Sequence, residues 1–326
     1  MIRPVKVGVI GVGALGWHHA RHLAAMPGAE LVGIYDIRPD RARQVAEAVG
    51  TVACGTREEL FARAQAVTVA VPTPAHGEVG TAALEAGVAV LMEKPIATTL
   101  PEADAMLAAS EARGALLQVG HIERFNRALR ASAPFLDVPL FIEGVRLAPF
   151  QPRGTDVPVV LDLMIHDLDL ILHLTGGLEA SEVRANGAAV LSPHLDFASA
   201  RVEFASGAVA SVTASRIARE RVRRLRIYQE EGYLSLDLGA GRGEFLRLRH
   251  GWTPGSDASL EEVAERIPLE APAADALGLE LASFLHAVRG EQEAVVSGGE
   301  GRAALQLALR VTEAIRVATL AAQTDQ

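Results

Sequence analysis

Lysine is scarce in this chain, and one of its lysines stands where a group that exchanges protons would be useful. Of the 31 basic side chains, only Lys6 and Lys94 are lysine. Unlike arginine, a buried lysine can give up its proton near neutral pH. Lys94 lies between Glu93 and Pro95, directly after an apolar run that is typical of a strand. This placement predicts an acid or base at Lys94, with a surface lysine in a turn as the alternative.

Aspartate and histidine recur at helical spacing in a second segment. Asp162 and His166 are four residues apart in the apolar stretch Leu161–Leu174, so they share a helix face, which Asp169 and His173 continue. Ionisable groups in a buried helix are unfavourable unless they are paired, and they therefore often mark sites. The pattern alone fits a catalytic pair, a solvated stripe or, more weakly, a metal site without cysteine ligands.

The first apolar run leads into a glycine-rich turn of the type that binds dinucleotides. Gly11 permits a tight turn, Gly13 lets the backbone approach a pyrophosphate, and Gly16 lets the next helix pack on the strand. Asp36 ends the second strand, 20 residues after Gly16, where a carboxylate can accept hydrogen bonds from ribose hydroxyls. The predicted cofactor contacts in this segment are Gly11, Gly13, Ala14, Leu15, Gly16, Asp36 and Arg38.

The acid at Asp36 also bears on which dinucleotide binds. A carboxylate there would repel the 2′-phosphate of NADP, so NAD is the predicted cofactor and NADP the less favoured one. Arg38, two residues later, could partly neutralise such a phosphate, or it is a solvated turn residue before Pro39. The order of strand, glycines, helix, strand and acid is more specific than the glycine pattern alone.

Two kinds of secondary-structure pattern divide the chain. Residues 1–120 alternate apolar runs with helical patterns, which predicts an α/β Rossmann domain with a doubly wound parallel sheet. Residues 121–326 are predicted to form an α+β substrate-binding and oligomerisation domain with a mostly antiparallel open sheet, and the last helix is a candidate to pack back on the first domain. The predicted strands are Val5–Ile10, Leu31–Tyr35, Val67–Val71, Val88–Met92, Ala115–Val119, Ala198–Phe204, Ala208–Ser215, Val222–Gln229, Tyr233–Leu238 and Phe245–Leu248. Beyond the first domain, the predicted helices are His121–Ser132, Leu161–Leu174, Ala276–Arg289 and Arg302–Ala322.

The composition narrows the range of partners. A net charge of −9 without a basic block argues against nucleic acid as a ligand. No apolar run reaches the length that crosses a membrane, so no membrane association is expected. Cys54 is the single cysteine, and without an intramolecular disulfide we expect a protein of the cytoplasm, which is reducing.

Several motifs together resemble the Gfo/Idh/MocA oxidoreductases over nearly the whole chain. The resemblance rests on Gly11–Gly16 with His19, Val71–Pro74 with His76, Glu93–Ile96, Gly120–Asn126, the spacing of Asp162 and His166, and Val295–Gly298. It implies hydride transfer between NAD(P) and a carbon that bears a hydroxyl, on a sugar, cyclitol or sugar nucleotide, without a metal. It also implies that Lys94, Asp162 and His166 are catalytic, and it leaves open whether Lys94 or His166 is the base. The further cofactor contacts that it implies are Pro72, Thr73, His76, Glu93 and Lys94.

Some segments resemble a narrower group within that family, the UDP-N-acetylglucosamine 3-dehydrogenase type. These segments are Gly120–Asn126, Met164–Asp169, Thr213–Ile217 and Arg223–Gln229. The resemblance implies oxidation at C3 of a UDP-N-acetylhexosamine, a homodimer or homotetramer, and an aminotransferase as a partner in the pathway. Because side chains alternate along a strand, Arg223 is expected to point away from Arg224 and Arg226. The substrate contacts predicted on this basis are Lys94, Arg124, Asn126, Asp162, His166 and Arg216.

Other functions on the same fold stay open at this point. The alternatives are a dehydrogenase of a free sugar or inositol, an NAD-dependent glycosidase, a non-catalytic NAD sensor, and a reductase of a bile pigment or imine. Lys94 and His166 argue against a sensor, which needs neither residue. Net formation of NADH would distinguish a dehydrogenase from a glycosidase, which returns its hydride.

Overall fold

The computed structural model describes residues 3–151, 157–249, 251 and 257–324. The chain forms two compact units, the first made of Met1–Ile122 and Ala274–Leu305 and the second of Glu123–Ala273 and Gln306–Gln326. The boundary predicted at residue 120 assigns residues 274–305 to the second domain, whereas by packing this segment lies in the first unit.

The first unit contains a five-stranded sheet in which every pairing is parallel, with the strand order β2-β1-β3-β4-β5. The strands are β1 (Val5–Ile10), β2 (Ala29–Tyr35), β3 (Ala66–Val69), β4 (Ala89–Glu93) and β5 (Leu117–Gly120). β3, β4 and β5 are buried along their whole length, as in a parallel sheet that helices cover on both faces. The predicted doubly wound α/β architecture is confirmed.

Helices flank this sheet, and further helices belong to the second unit. Within the described residues they are α1 (Ala14–Ala25), α2 (Pro39–Val49), α3 (Arg57–Phe61), α4 (His76–Glu85), α5 (Leu100–Arg113), α6 (Arg127–Ser132), α7 (Ile165–Leu174), α8 (Leu260–Val263), α9 (Ala276–Val288) and α10 (Gly298–Thr324). None of these helices combines the length and the hydropathy that a membrane span needs. Leu277, Leu281 and Phe284 of α9 join the same core as residues of β1 and β4, which is why residues 274–305 belong to the first unit.

The second unit contains an eight-stranded sheet with the order β13-β12-β11-β10-β6-β9-β8-β7. Its strands are β6 (Phe141–Leu147), β7 (Ala180–Ala188), β8 (Phe197–Phe204), β9 (Val209–Ser215), β10 (Val222–Gln229), β11 (Gly232–Asp237), β12 (Arg242–Leu248) and β13 (Ala264–Leu269). The pairing of β6 with β9 is parallel, and the other pairings of these strands are antiparallel. The predicted mostly antiparallel sheet is therefore confirmed.

Strands β6, β7 and β13 have no counterpart among the predicted strands. β6 contains Glu143 and Arg146 and so lacks a continuous apolar run. Its burial nevertheless alternates, because Ile142, Gly144 and Arg146 face the covered side of the sheet. Because the buried side of this central strand includes the charged Arg146, the apolar pattern did not predict β6.

Two predicted helices are interrupted. His121–Ser132 divides into a 3₁₀ turn and α6, because Asn126 has an extended backbone and its side-chain oxygen accepts from the amide of Ala128 at 3.0 Å. The helix predicted over Leu161–Leu174 begins with a π turn at Val160–Met164. Asp162 and His166 are both half-buried, whereas farther along α7 Asp169 is buried and His173 is exposed, so the predicted stripe does not have one uniform burial.

Candidate functional site

The turn between β1 and α1 has the backbone geometry that the glycine pattern predicts. Gly11 has a φ of 80°, and a Cβ there would lie 2.8 Å from the carbonyl oxygen of Ala70. A Cβ at Gly16 would lie 1.8 Å from the carbonyl oxygen of Gly11. Around Gly13, no described atom outside its neighbours lies within 4 Å of a Cβ position. A pyrophosphate fits this open side at the start of α1, whose first turn has no side-chain cap.

Asp36 joins this turn to the end of β2. Its Oδ2 accepts a hydrogen bond from the amide of Val12 at 2.9 Å, and its Oδ1 accepts from the amide and Nε of Arg38 at 2.9 and 3.2 Å. Burial alone would raise the pKa of Asp36, but these donors outweigh burial and hold the pKa below its ordinary value. Asp36 is therefore an anion at neutral pH, and Oδ2 can accept a further hydrogen bond, such as one from a ribose hydroxyl.

Replacing Asp36 with alanine should weaken NADH binding and remove the discrimination against NADPH. A hydrogen bond to a charged group contributes about 1.5–3 kcal/mol, so the Kd for NADH should rise roughly ten- to hundredfold. Fluorescence titration with both dinucleotides measures the effect, and Asp40→Ala, at an exposed acid in the first turn of α2, is the control. A wild-type protein that binds NADPH more tightly than NADH would contradict this role of Asp36.

The loop after β3 is tied to the segment that follows β4. His76 is buried, and its Nδ1 and Nε2 lie 2.7 Å and 3.0 Å from the carbonyl oxygens of Pro95 and Val71. Burial lowers the pKa of His76, so the neutral ring donates to one carbonyl at a time. This geometry favours a role for His76 in positioning the two loops rather than in touching the cofactor. Pro72 and Thr73, the other predicted contacts of this loop, are exposed and half-buried.

Glu93 and Lys94 stand at the carboxyl end of β4, and the Lys94–Pro95 bond is cis. The buried Glu93 accepts from Nε2 of His19 at 3.0 Å and from the amide of Lys94 at 3.3 Å. Burial alone would raise the pKa of Glu93, but His19 and the charge of Lys94 outweigh burial and lower it. Lys94 is half-buried beside this carboxylate. An anionic neighbour stabilises an ammonium group, so this position suits a lysine that accepts a proton.

Buried ion pairs hold α7 in the second unit. Asp169 accepts from Nε and Nη2 of Arg124 at 2.7 and 2.9 Å, and neither side chain is more than 3% exposed. Asp167 accepts from Nε and Nη2 of Arg146 at 2.9 and 2.8 Å, and Nη1 of Arg146 donates to Glu123 at 2.8 Å. The guanidinium of Arg124 thus supports α7, which does not favour its predicted contact with substrate.

Asn126 is also occupied by local structure. Besides capping α6, its Nδ2 donates to Glu123 at 2.7 Å and to the carbonyl of Leu238 at 2.9 Å. Oxygen and nitrogen of the amide therefore both face the protein. A hydrogen bond from Asn126 to a sugar, as predicted from the sequence, would have to replace one of these contacts.

Asp162 and Arg216 line one cavity of the second unit, with a volume of about 200 Å³. Arg216 is buried, donates to the carbonyl of Val157 at 2.5 Å, and lies 3.7 Å from Asp196. Asp162, in the π turn, is half-buried. The residues lining the cavity are Arg146, Leu147, Ala148, Pro149, Gln151, Asp162, Leu163, Arg216, Arg221 and Arg223.

The cavity is positively charged on one side. Carboxylates pair with Arg146 and Arg216. Arg221 forms no ion pair within the described part of the chain. Arg223 lies 3.7 Å from Glu123, which already binds Arg146. Burial, and then the charges of Arg146 and Arg221, lower the pKa of Arg223, although nearby carboxylates oppose the shift. Crowded guanidinium groups of this kind are stabilised by an anion, and their forks suit phosphate oxygens.

The predicted catalytic residues are divided between the two units. Lys94 belongs to the first unit, and Asp162 and His166, both half-buried, belong to the second. In the first unit the structure brings Asp36 together with the glycine turn. In the second unit it brings Asp162 and Arg216 to one cavity. His166 stands in the first turn of α7 and is not one of the residues that line the cavity. Among the described residues, no group of three or more histidine, cysteine, aspartate or glutamate side chains could hold a metal.

The sequence motifs do not predict three arginines that the structure places at these sites. Arg146 and Arg221 line the cavity, and Arg41 contacts the glycine turn. Arg146 belongs to the unpredicted strand β6, and Arg221 immediately precedes β10. Arg41, on α2, donates to the carbonyl of Val12 at 2.8 Å and so braces the glycine turn. The arginines that surround position 221 in the sequence are the signal that could have identified Arg221, whereas the sequence of β6 offers none for Arg146.

Comparison with protein families gives two matches. Residues 5–121 match the family described as "Oxidoreductase family, NAD-binding Rossmann fold" of the GFO/IDH/MocA group. Residues 150–235 match the GFO/IDH/MocA C-terminal domain. The first matched region contains Asp36 and Lys94. The second contains Asp162, His166 and the cavity arginines Arg216, Arg221 and Arg223.

Individual proteins are similar over most of the chain. The UDP-N-acetylglucosamine 3-dehydrogenase of Acidithiobacillus ferrooxidans is 37% identical over 313 residues, which cover 95% of this chain and 97% of that protein. A solved structure of the enzyme of that name from the same organism aligns with a TM-score of 0.89 at 36% identity, over 97% of this chain and 99% of that one. The scyllo-inositol 2-dehydrogenase (NAD(+)) of Bacillus subtilis is 30% identical over 66% of this chain and 68% of its own length.

Proposed function

The chain belongs to the GFO/IDH/MocA oxidoreductase family, and on that premise we propose that it is an NAD-dependent dehydrogenase that oxidises C3 of a UDP-N-acetylhexosamine such as UDP-N-acetylglucosamine. The predictions of the family, of an NAD(P)-dependent oxidoreductase acting on a CH–OH group, and of NAD as cofactor are confirmed. The identity of the sugar and of the oxidised carbon is the proposal.

The arginine-lined cavity of the second unit is the observation that carries the choice of substrate. A sugar nucleotide brings a diphosphate, which requires fixed cations or backbone donors, whereas inositol and free sugars bring only hydroxyl groups. Four arginines and one acid, Asp162, line this cavity, and of the arginines Arg146 is already paired with Glu123 and Asp167. The 37% identity to a UDP-N-acetylglucosamine 3-dehydrogenase over nearly the full length supports the same choice.

Proton transfer accompanies the oxidation of an alcohol carbon. Bound NAD supplies the acceptor for the hydride, and the hydroxyl proton must pass to a side chain. We assign that step to Lys94 or His166, with Asp162 as a supporting group. Lys94 is half-buried beside the anionic Glu93, and Asp162 in the π turn and His166 at the start of α7 are half-buried too, so each side chain remains accessible.

Replacing Arg221 and Arg223 together with glutamine should weaken binding of the nucleotide part of the substrate. Each lost charge-assisted hydrogen bond contributes about 1.5–3 kcal/mol, so the Kd for UDP and for UDP-N-acetylglucosamine should rise roughly tenfold or more per arginine. Isothermal titration calorimetry with UDP, UDP-N-acetylglucosamine and free N-acetylglucosamine measures the change.

Arg224→Gln is the matched control for that experiment. Arg224 neighbours Arg223 on β10 but lines a cavity on the opposite face of the sheet, with Arg226 and Asp237, so its loss should leave nucleotide binding unchanged. Unaltered UDP affinity in the double variant, or an equal loss in Arg224→Gln, would contradict the assignment of the diphosphate to this cavity.

The remaining proposals concern assembly and cellular context. A homodimer or homotetramer is supported by the open face of the sheet, where Tyr228, 40% exposed, packs its ring 4.7 Å from Tyr233 and 5.8 Å from Phe141. An aromatic group on an uncovered sheet face is typical of a surface that a second subunit covers. A location in the cytoplasm is proposed from the single cysteine, Cys54. An aminotransferase that consumes the keto sugar is proposed from the family resemblance alone.

A further inference from the structure

Helix α9 carries an acid on the side that packs into the core of the first unit. Glu280 lies three residues after Leu277 and four before Phe284, both of which belong to that core, so it shares their face. Glu280 is 1% exposed, and neither of its carboxyl oxygens has a hydrogen-bond partner within the described part of the chain. A buried carboxylate without a donor is strongly unfavourable, so this group holds its proton.

Glu93 faces the same core from strand β4. Ala89 and Leu91 of β4 belong to the core cluster that α9 joins, and alternate side chains of a strand point the same way, which places Glu93 on that side. Glu93 is ionised, with donors from His19 and from the Lys94 amide. Burial, and then the charge of Glu93, raise the pKa of Glu280 well above its ordinary value. The two acids therefore form a buried pair with one proton and one negative charge.

Polar atoms around this pair have no partner among the described side chains. They are Nδ1 of His19 and both amide atoms of Gln118, which is aligned with Leu91 in the sheet and so lies on the same face. Gly120 leaves room for the carboxylate, since a Cβ there would lie 3.3 Å from the carboxyl atoms of Glu93. Buried polar atoms of this kind are usually bonded to ordered water. The acid pair thus lies in a polar region inside the core, and one of its members, Glu93, immediately precedes Lys94 in the sequence.

We propose that Glu280 is a positioning residue that acts through Glu93 on Lys94, because it holds a proton in the core and so keeps the single negative charge of the acid pair next to the lysine. The proposal rests on the proposed role of Lys94 in proton transfer. When an alcohol is oxidised, its hydride passes to NAD and its hydroxyl proton to the amine of Lys94, and Glu93 stabilises the resulting ammonium without taking the proton. The other titratable groups that act on Glu93 are His19 and His76.

Infrared spectroscopy of the cofactor-free protein tests the proton on Glu280. Wild type should show the carbonyl stretch of a protonated carboxylic acid at neutral pH, and Glu280→Gln should lack it. Glu85→Gln, which removes an exposed acid of α4, is the control and should retain the band. Glu93→Gln should lower the pH at which the band disappears, because the like charge is gone. Absence of the band in wild type, or its persistence in Glu280→Gln, would overturn the proposal.

The coupling to Lys94 can be read directly, because the chain has only two lysines. In protein labelled with ¹³Cε-lysine, the Lys94 resonance should shift across the pH range in which the infrared band of Glu280 disappears. That step should be missing in Glu280→Gln, while the Lys6 resonance titrates identically in both proteins. If the Lys94 resonance of wild type does not shift when Glu280 ionises, the positioning role is overturned. Neither readout uses a substrate, so a failure here is distinct from a failure of the proposed function.

Thermal stability supplies the second variant readout. The folded-state pKa of Glu280 is raised above its unfolded value, so its protonated form stabilises the folded protein below the ordinary pKa of a glutamic acid, and that contribution is lost as pH rises towards the folded pKa. The Tm of Glu280→Gln relative to wild type should therefore increase with pH across this window. A Tm difference that does not depend on pH would show that Glu280 carries no coupled proton.

Discussion

Replacing Lys94 with arginine should lower kcat about 10²–10⁴-fold, the range expected when a general acid or base is lost. Arginine keeps the positive charge beside Glu93 but does not give up its proton at any accessible pH. Binding of NAD should persist, because the glycine turn and Asp36 are independent of this side chain. Steady-state NADH formation together with a dinucleotide titration separates the two effects.

Lys6→Arg is a matched control for that variant, since Lys6 is the other lysine of the chain and is exposed on β1. It should retain wild-type turnover. Near wild-type kcat in Lys94→Arg would remove lysine from the proton transfer and leave His166 as the candidate. A loss of NAD binding equal to the loss of kcat would instead make Lys94 a cofactor contact only.

Replacing Asp169 with alanine should lower the free energy of unfolding by about 3–5 kcal/mol, because it leaves the guanidinium of Arg124 buried without its bidentate partner. The side chains of Arg124 and Asp169 are 3% and 1% exposed, so water cannot replace the lost bonds. Denaturant unfolding of wild type and variant measures the difference. Arg43, which pairs with Asp40 at a solvent-exposed position of α2, provides the control, since Arg43→Ala should change stability by less than about 1 kcal/mol.

The double variant Arg124→Met with Asp169→Leu should recover much of that stability, because it removes both charges and fills the volume with apolar atoms. Wild-type stability in Asp169→Ala would contradict the structural role of the pair. An Arg124 variant that stays folded but loses affinity for the substrate would restore the contact predicted from the sequence.

The cofactor half of the fold could be predicted because its signals are local. The strands of a parallel sheet are buried on both faces, so β1, β3 and β4 are mostly apolar runs, apart from the exposed Lys6 of β1 and Glu93 at the end of β4. The role of Gly16 depends on its close approach to Gly11 within the turn, and that of Gly11 on a positive φ as well as on the nearby carbonyl of Ala70. The acid at Asp36 follows from its place at the end of β2, and here too the sequence contains the necessary information.

The substrate half could be predicted only in outline, because its important contacts join distant residues. An arginine is usually exposed, and nothing near Arg124 in the sequence indicates otherwise. Its burial depends on its pairing with Asp169, 45 residues later. The π turn that precedes α7 has no pattern of its own in the sequence. Glu280 has the spacing of an apolar helix face, but nothing local shows that another acid faces it.

Transfer of deuterium from C3 of UDP-N-acetylglucosamine tests the central claim most directly. The protein is incubated with NAD and with UDP-N-acetylglucosamine that carries deuterium at C3, and a partner reaction that consumes the keto product draws the oxidation forward. Mass spectrometry of the cofactor should show deuterated NADH, and substrate deuterated at C4 should yield only unlabelled NADH. Unlabelled NADH from the C3-deuterated substrate would contradict the assigned carbon. Turnover of scyllo-inositol with no turnover of any UDP-sugar would contradict the proposed substrate.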